Sequence, residues 1–543
     1  MPLRTEAAQP DVTPPGAVPL PLWRAAERAL ARARATGQPT LLRGALRAPA
    51  SLRADHAFEH MLRAAVELNA PFTAWRGATG AATWLALDIA ERVAFDDPGT
   101  TRRCAGAAHQ LDAWRERLTE PDTSGLPLAL AGFAFATAGT ARPEGSAWSG
   151  WPQAALQLPS LLVAWTHERD PTALVTLSVS PLADLDELRD ALAERAHRLE
   201  AWADRAASAA VTTRASDHHR QGNAGRGNAG RGNAGRGNAG RSDAGRSDTG
   251  HDDIGQGDSR PWTPDANGDR AHDRWRDLVT RARDGIMRRE LDKVVVARSA
   301  ELQVPPGSRL DLAASLLALH ARTAGCTLFC VHDPKQGTFF GATPELLASL
   351  HGARLSTMAL AGTAPRDPDP AADRALGEAL LASDKDRHEH QLVRDAILDA
   401  LRGLGGAPLI DPSPGLLSLS NVHHLCSRVE LVLERPHALL DAVAALHPTP
   451  AVSGAPHAAA RAWLEHHEDL DRGWYAGPLG WLSAHGDGEF VVALRSALLR
   501  DGVVHAFAGA GIVAASDPER EWDETRHKLR PIIESLRIRR QAP

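Results

Sequence analysis

The chain has 543 residues, of which 43% are hydrophobic and 24% are charged, and its formal net charge at pH 7 is -6. This length predicts one large or two medium folded units, and the composition is typical of a soluble globular protein. The acidic balance argues against a nucleic-acid partner.

Targeting signals and disulfide bonds are not expected. The four cysteines, Cys104, Cys326, Cys330 and Cys426, are too scattered for a disulfide framework, which favours a reducing cytoplasm. The first residues are interrupted by prolines and contain no continuous apolar segment, which argues against a secretory signal. No run of about 18 apolar residues follows elsewhere. The sequence therefore predicts a cytoplasmic protein with no membrane partner.

The first 205 residues combine helical patterns with short apolar runs. The helical patterns cover 22 to 36 and 184 to 206, and the apolar runs include LPLALAGFAFATAG and LPSLLVAW. Such runs, bounded by glycine and proline, are typical of buried strands. No cluster of reactive side chains occurs among them, so residues 1 to 205 are predicted to be a scaffold.

A pentapeptide repeat, GNAGR, begins at residue 222 and changes into SDAGR, SDTGH and DDIGQ before residue 259. These units contain too little apolar surface for a core, so 206 to 262 is predicted to be a flexible linker. An Arg/Gly-rich RNA-binding segment is the alternative interpretation. The repeat has no interleaved aromatic residues and becomes acidic at its end, which disfavours that alternative.

After the repeat, strand-like and helical segments alternate irregularly. Strands are predicted at 292 to 302, 326 to 333, 337 to 350, 488 to 500 and 502 to 513, and helices at 309 to 323, 371 to 403, 456 to 468 and 518 to 537. Strands this close in sequence favour antiparallel pairing with helices packed outside. The predicted fold class is therefore α+β.

Two residues on strand ends could exchange protons. Lys293 begins the strand KVVVAR; it could be a solvated strand end, or a general base if burial favours the neutral amine. Glu345 follows a turn marked by Pro344. It could be an ordinary acid at a helix N-terminus, or a general acid at the mouth of a cleft.

Two helical segments each place acids on an inward face. Glu389 shares a face with Val393, Ile397 and Leu401, although an acid also suits a first turn capped by Ser383. Glu521, Glu524 and Lys528 likewise project from one side of the last helix, in which Pro531 should cause a kink. Unpaired buried carboxylates are costly, and a hard divalent cation would stabilise both sets.

Oxygen ligands of this kind favour Mg²⁺. The histidine pairs 388/390 and 423/424 do not have HExxH spacing, and no CxxC pair exists, which disfavours zinc. Gly509 and Gly511 could bring backbone amides close to an anion or could simply allow tight packing. Arg495, among apolar strand residues, would need a carboxylate partner if it faced inward.

Ten segments in order resemble the chorismate-utilising enzymes and cover about residues 290 to 538: KVVVAR, GATPELL, LAGT, KDRHEH, HHLCS, LHPTPAVSGAP, DRGWYAGPLGW, GEFVVALRSA, AGAGIV and EREWDETRHKL. The resemblance implies large antiparallel sheets with helices packed outside and the active site between them. It also implies that residues 263 to 543 are the catalytic part and that the repeat is an insertion within one catalytic unit.

The resemblance also implies roles for single residues. Glu389 and Glu524 would bind Mg²⁺, with Glu521 and Asp386 near them; Lys293 would be the general base and Glu345 the general acid. Chorismate would be bound by a further set of residues: Gly362, His424, Ala451, Tyr475, Arg495, Gly509, Gly511 and Lys528.

Within that family the chain most resembles isochorismate synthases. Amine-adding members tend to carry Thr and Lys where this chain has Ala451 and His457, and an alanine suits water as the nucleophile. The chain shows no glutaminase segment, and no glutaminase subunit is expected; a monomer is the default expectation. A salicylate synthase is the nearest alternative, followed by component I of an anthranilate or aminodeoxychorismate synthase. Ser427, often Thr in the family, and Pro531 depart from its pattern.

An isochorismate product could feed menaquinone, a catecholate siderophore or salicylate. The long N-terminal half and the absence of a carrier-protein segment favour menaquinone. An inactive relative that acts as a binding protein, with the repeat as its contact segment, is the alternative from another class. The presence of Lys293, Glu345, Glu389 and Glu524 together disfavours it.

Overall fold

The structure, a computed structural model, describes residues 18–53, 56–78, 82–97, 99–135, 142, 145–166, 169–223, 268–433 and 438–540. The helices are α1 Leu20–Thr36, α2 Ala57–Leu68, α3 Thr100–Arg117, α4 Leu185–Asn223, α5 Gly268–Met287, α6 Leu312–Arg322, α7 Pro370–Ala382, α8 Asp384–Arg402, α9 Ala438–Leu446, α10 His457–His467 and α11 Pro518–Ser535. Within these ranges, no helix is both long and apolar enough to cross a membrane.

The strands are β1 Thr40–Leu46, β2 Phe72–Arg76, β3 Thr83–Phe95, β4 Pro127–Phe133, β5 Ala154–Thr166, β6 Arg169–Val179, β7 Lys293–Gln303, β8 Ser308–Leu310, β9 Thr327–Asp333, β10 Gly337–Thr343, β11 Leu346–His351, β12 Arg354–Pro365, β13 Leu409–Ile410, β14 Gly415–Ser418, β15 Val422–Val432, β16 Gly454–Ala455, β17 Pro478–Ser483, β18 Gly488–Val492, β19 Ser496–Arg500, β20 Val503–Ile512 and β21 Ile538–Arg540.

Nineteen of the described strands pair into one antiparallel sheet that branches at β5 into two parts, the first sheet and the second sheet. The first has the order β16-β7-β20-β19-β10-β9-β2-β3-β5-β6-β1. The second leaves β5 through β4 and continues as β17-β18-β11-β12-β15, with β13 and β14 on the far side of β15. A separate short pair joins β8 and β21. The predicted α+β fold of large antiparallel sheets is confirmed.

Strands from both sides of the repeat pair directly with each other. β2 pairs with β9 in the first sheet, and β4 pairs with β17 in the second. Helix α4 continues to Asn223, so the first part of the predicted linker, 206 to 223, is helical. Most of the repeat lies in 224–267, outside the described residues. The two halves of the chain thus build one pair of sheets.

Two hydrophobic clusters hold the sheets and helices together. The larger one includes Phe339 of the first sheet, Phe490 of the second, and side chains of α3, α8 and α9. The smaller one packs the first sheet against α1, α2, α4, α6 and α11. Removing this apolar surface from water is the main favourable contribution to folding.

Three segments that the sequence predicts as continuous elements are each divided in the structure. The 371 to 403 helix is two helices, because Ser383 is extended and its side chain accepts a hydrogen bond from the Asp386 amide as the cap of α8. The 337 to 350 strand is interrupted at Pro344 and Glu345. The 488 to 500 strand is interrupted at Arg495, which has a positive φ of 47°.

Helix α11 begins with strong start signals. The Asp517 side chain accepts hydrogen bonds from the amides of Glu519 and Arg520, and Pro518 occupies the first turn. Pro531 does not end this helix, which continues to Ser535. Lys528 therefore keeps its i,i+4 relation to Glu524 even though Pro531 lies in the same helix.

Candidate active site

A single cavity collects the residues that the sequence singled out. It lies between β7 and β20 of the first sheet and β12 and β15 of the second, next to α8 and α11, and its empty volume is about 1150 Å³ including the opening to solvent. This is large enough for a small organic ligand. Every predicted site residue lines it: Lys293, Glu345, Gly362, Glu389, His424, Ala451, Tyr475, Arg495, Gly509, Gly511, Glu521, Glu524 and Lys528.

Lys293 is the first residue of β7 and is only 1% exposed. Its Nζ donates a hydrogen bond to Glu389 Oε1 at 2.6 Å, so the two form an ion pair. The alternative of a solvated strand end is therefore wrong. Burial alone would raise the pKa of Glu389, but Lys293 and the more distant Lys528 hold it below its ordinary value. Glu389 is thus a carboxylate that faces the cavity from the first turns of α8.

Glu345 lies in the short connection between β10 and β11 and is 6% exposed. Because a strand follows it, it is not an acid at a helix N-terminus. Burial raises its pKa to about 7, against the opposing effect of the positive charges of Lys293 and Lys528. A carboxyl group with this pKa is partly protonated at neutral pH and can donate a proton into the cavity.

His424, on β15, bridges Arg495 and β12. Arg495 Nη2 donates to His424 Nε2 at 3.1 Å, so we assign the ring proton to Nδ1. Nδ1 lies 2.9 Å from Thr363 Oγ1 and 3.3 Å from the Gly362 carbonyl oxygen. Burial, with the charges of Arg495 and Lys528, lowers the pKa of His424 to about 3. The imidazole is therefore neutral and leaves Arg495 as the cation of this wall.

Arg495 is buried, and its Nη1 has no hydrogen-bond partner among the described residues. Its positive φ also places it in a sparsely populated backbone region, a form of strain that clusters at functional sites. Gly362, with a φ of 80°, forms a bulge in β12 where the register with β15 shifts. A buried guanidinium with a free donor can bind a carboxylate.

Helix α11 contributes two acids and a lysine. Lys528 Nζ lies 2.7 Å from Glu524 Oε1 and donates to the Gly509 carbonyl oxygen at 2.9 Å. Burial, together with the neighbouring negative charge of Glu524, raises the pKa of Glu521 to about 7. This end of the cavity therefore holds one carboxylate paired with a lysine and a second carboxyl group that is partly protonated at neutral pH.

Gly509 and Gly511 lie on β20 at positions where a side chain would meet neighbouring groups. A Cβ at Gly511 would lie 3.0 Å from Lys293 Cε and 3.2 Å from Glu389 Oε1. A Cβ at Gly509 would lie 3.0 Å from the Val296 carbonyl oxygen and 3.2 Å from Tyr475 Oη. Tight packing is thus one function of this pair, as the sequence allowed.

Three cavity residues that interpretation of the sequence missed are Thr363, Lys385 and Arg472. Lysine is rare in this chain, and this rarity could have identified Lys385. The chain has only four lysines, at 293, 335, 385 and 528, and three of them line the cavity. Its one tyrosine, Tyr475, does so as well, and burial raises the pKa of this phenol so that it stays protonated. Thr363 and Arg472 belong to common residue types and carried no such signal.

The carboxylates suit Mg²⁺ chemically. Among the described residues, no three His, Cys, Asp or Glu side chains lie close enough to hold a metal ion by themselves. Mg²⁺, however, is commonly bound by one or two carboxylates together with water and substrate oxygens. Glu389, Glu521 and Glu524 line the same cavity and offer oxygen ligands of this kind. His390 is directed elsewhere, since its Nε2 lies 2.9 Å from Ser427 Oγ.

Comparisons with known proteins identify relatives over about half of the chain. The family described as chorismate binding enzyme matches residues 254–537, just over half of the chain. A Pseudomonas aeruginosa protein named salicylate biosynthesis isochorismate synthase is 42% identical over 262 residues, which are 48% of this chain and 54% of the relative. The isochorismate synthase EntC of Escherichia coli is 39% identical over 256 residues, 47% of this chain and 65% of EntC. The chain thus matches about half to two thirds of the length of these curated relatives.

The structural similarity covers more of the chain than the sequence similarity does. The solved structure of MenF, the menaquinone-specific isochorismate synthase from Escherichia coli, superposes with a TM-score of 0.63 and 25% identity, and covers 94% of this chain and 99% of MenF. The scaffold before the repeat is therefore shared as well. From the matched region, the ordered motifs and the common architecture, we conclude that the chain belongs to the chorismate-binding enzyme family.

Proposed function

We propose that the protein is an isochorismate synthase that converts chorismate to isochorismate. The observation that carries this proposal is the presence, in one cavity, of a buried lysine and a buried carboxyl group with a pKa of about 7, Lys293 and Glu345. A general base and a general acid are the two groups that the reaction needs. The 42% and 39% identities to two isochorismate synthases support it.

In the proposed reaction, Lys293 first gives up the proton that it shares with Glu389, and its amine then accepts a proton from water as the water oxygen bonds to C2 of chorismate. Both ring double bonds shift as the C4–oxygen bond breaks, and the C4 hydroxyl leaves as water with a proton donated by Glu345. Water is thus consumed and released in equal amount, and no redox cofactor is required. Ala451, which lines the cavity, offers no hydrogen-bonding group for an amine, so water is the expected nucleophile.

The remaining cavity residues would bind the substrate. Arg495, with its free Nη1, and Lys528 supply positive charge for carboxylates, and Tyr475 supplies a phenolic donor. Glu389 and Glu524 would hold Mg²⁺, which when bound supplies positive charge for a substrate carboxylate. The similarity to the menaquinone-specific enzyme over 94% of the chain supports, as part of this proposal, a role in menaquinone supply.

Product analysis tests the proposal directly. The purified full chain should convert chorismate to isochorismate in the presence of Mg²⁺, and chromatography should show the same product with and without ammonia. Salicylate with pyruvate would instead assign the chain to the salicylate synthases. An aminated product that appears only with ammonia would assign it to the anthranilate or aminodeoxychorismate branch.

Glu389→Ala should raise the Mg²⁺ concentration for half-maximal turnover by at least about tenfold, because loss of even an outer partner of a metal site costs that much. The measurement is a Mg²⁺ titration of initial rate, paired with calorimetric Mg²⁺ binding. Glu519→Ala is the control, since this acid of α11 is exposed and pairs with His272. An unchanged titration in Glu389→Ala would refute the ligand assignment.

A further inference from the structure

Arg472, between α10 and β17, is a buried cation that the proposed reaction does not use. It is 2% exposed, and its guanidinium forms a fork with the Glu468 carboxylate: Nε donates to Oε1 at 2.5 Å and Nη2 to Oε2 at 2.8 Å. The side chains of the two residues are 3% and 5% exposed. Removing such a pair from water is costly. The hydrogen bonds that the pair makes to other groups therefore indicate its structural role.

Those hydrogen bonds join the strand of Lys293 to the turn of Ala451. Arg472 Nη2 also donates to the Val295 carbonyl oxygen at 2.6 Å, and Nη1 donates to the Val452 carbonyl oxygen at 2.9 Å. Val295 is two residues after Lys293, and Val452 directly follows Ala451. One planar group therefore contacts both segments.

Glu468 completes the connection from the other side. Its Oε2 accepts a hydrogen bond from the Ala297 amide at 2.8 Å, so the pair holds β7 at two points. The Phe135 ring lies against the guanidinium, with 4.2 Å between Arg472 Cζ and the ring centroid. A flat, fixed fork satisfies four acceptor atoms together, the two Glu468 carboxylate oxygens and the Val295 and Val452 carbonyl oxygens, whereas a lysine ammonium is a single point with a flexible stem.

We propose that Arg472 and Glu468 are positioning residues that set the distance and direction between the Lys293 amine and the Ala451 wall, where the attacking water must lie. The inference rests on the proposed function, because it assigns the pair to that reaction. Proton transfer requires hydrogen-bond contact between base and water, and a displacement of about 1 Å can lower a rate by about 100-fold.

The test uses Arg472→Lys and Glu468→Gln in the full chain. Each should lower kcat for isochorismate formation by about 100-fold and change KM less than about threefold, because the substrate-binding groups Arg495 and Lys528 make no bond to the pair. Arg43→Lys is the matched control. Arg43 forms an equally buried pair with Asp122, also donates to a carbonyl oxygen, and lies outside the cavity.

The control should lose thermal stability and keep its kcat. Normal kcat in both test variants, or an equal loss of kcat in Arg43→Lys, would overturn the inference. So would loss of the fold in both test variants, because the pair would then serve folding alone. Hydrogen exchange at 293–297, faster in Arg472→Lys and unchanged in Arg43→Lys, tests the placement of β7 without any turnover. If the unaltered protein does not convert chorismate, the proposed function fails, and this exchange result still decides whether Arg472 holds the strand.

Discussion

Lys293→Ala should lower isochorismate formation by about 10²- to 10⁴-fold, the usual contribution of a general base. The substitution removes the amine that lies at the base of the cavity, 2.6 Å from Glu389. Cooperative thermal unfolding should persist, because the methylene groups lost are few against two large hydrophobic clusters. The measurement is initial rate by chromatography, with thermal unfolding followed by circular dichroism.

Lys335→Ala is the matched control for this lysine. Lys335 lies in the exposed turn between β9 and β10, outside the cavity, so its removal should leave the rate unchanged. Chorismate binding by Lys293→Ala, followed by calorimetry, should remain measurable because Arg495 and Lys528 are intact. A near-normal rate in Lys293→Ala would show that another group accepts the proton.

Glu345→Gln should lower turnover by a similar factor and change its pH dependence. Since burial raises the pKa of Glu345 to about 7, the protonated acid is abundant below pH 7 and scarce above it. The kcat of the unaltered protein should therefore fall as pH rises through about 7. Glutamine has nearly the same shape but cannot donate a carboxyl proton, so the residual rate of Glu345→Gln should not show that fall. A full rate in this variant would contradict the assignment.

Stability offers a second readout for Glu345. The folded protein holds the carboxyl proton of Glu345 more tightly than the unfolded chain does. The contribution of this proton to the free energy of unfolding is therefore fully present below the pKa of the unfolded chain and is lost as pH rises through about 7. A shift from 4.5 to about 7 corresponds to roughly 3 kcal/mol. We expect the free energy of unfolding, measured with denaturant, to decrease less between pH 4.5 and pH 8 for Glu345→Gln than for the unaltered protein. Equal losses would place the titration elsewhere, for example at Glu521.

Much of the catalytic part was predictable from local pattern. Strands such as β7 and β20 each contain a run of apolar residues, and helices such as α11 carry their own start signals, so each could be identified within its own segment. Roles for Lys293, Glu345 and Glu389 came from the order of short motifs along the chain and not from periodicity, which left every one of them with an ordinary alternative. The structure removes two of those alternatives by burial and by the strand that follows Glu345.

The rest depended on contacts that sequence spacing does not contain. The break at Arg495 requires a positive φ that a non-glycine residue adopts only when its surroundings impose it. The buried fork of Arg472 joins residues 295, 452 and 468, which no local pattern links. Pairing of β2 with β9 and of β4 with β17 likewise emerges only from the complete sheets.

That strand pairing has a consequence for synthesis on the ribosome. Thr73 of β2 lies opposite Val331 of β9, and Ala129 of β4 lies opposite Leu482 of β17. At about 5 to 20 residues per second, the partner of β4 emerges roughly 20 to 70 s after β4 itself. Until then its edge has unpaired backbone groups, which are open to pairing with other chains. Slower translation or lower temperature prolongs this interval, and a chaperone that covers apolar strands should raise the yield of folded enzyme.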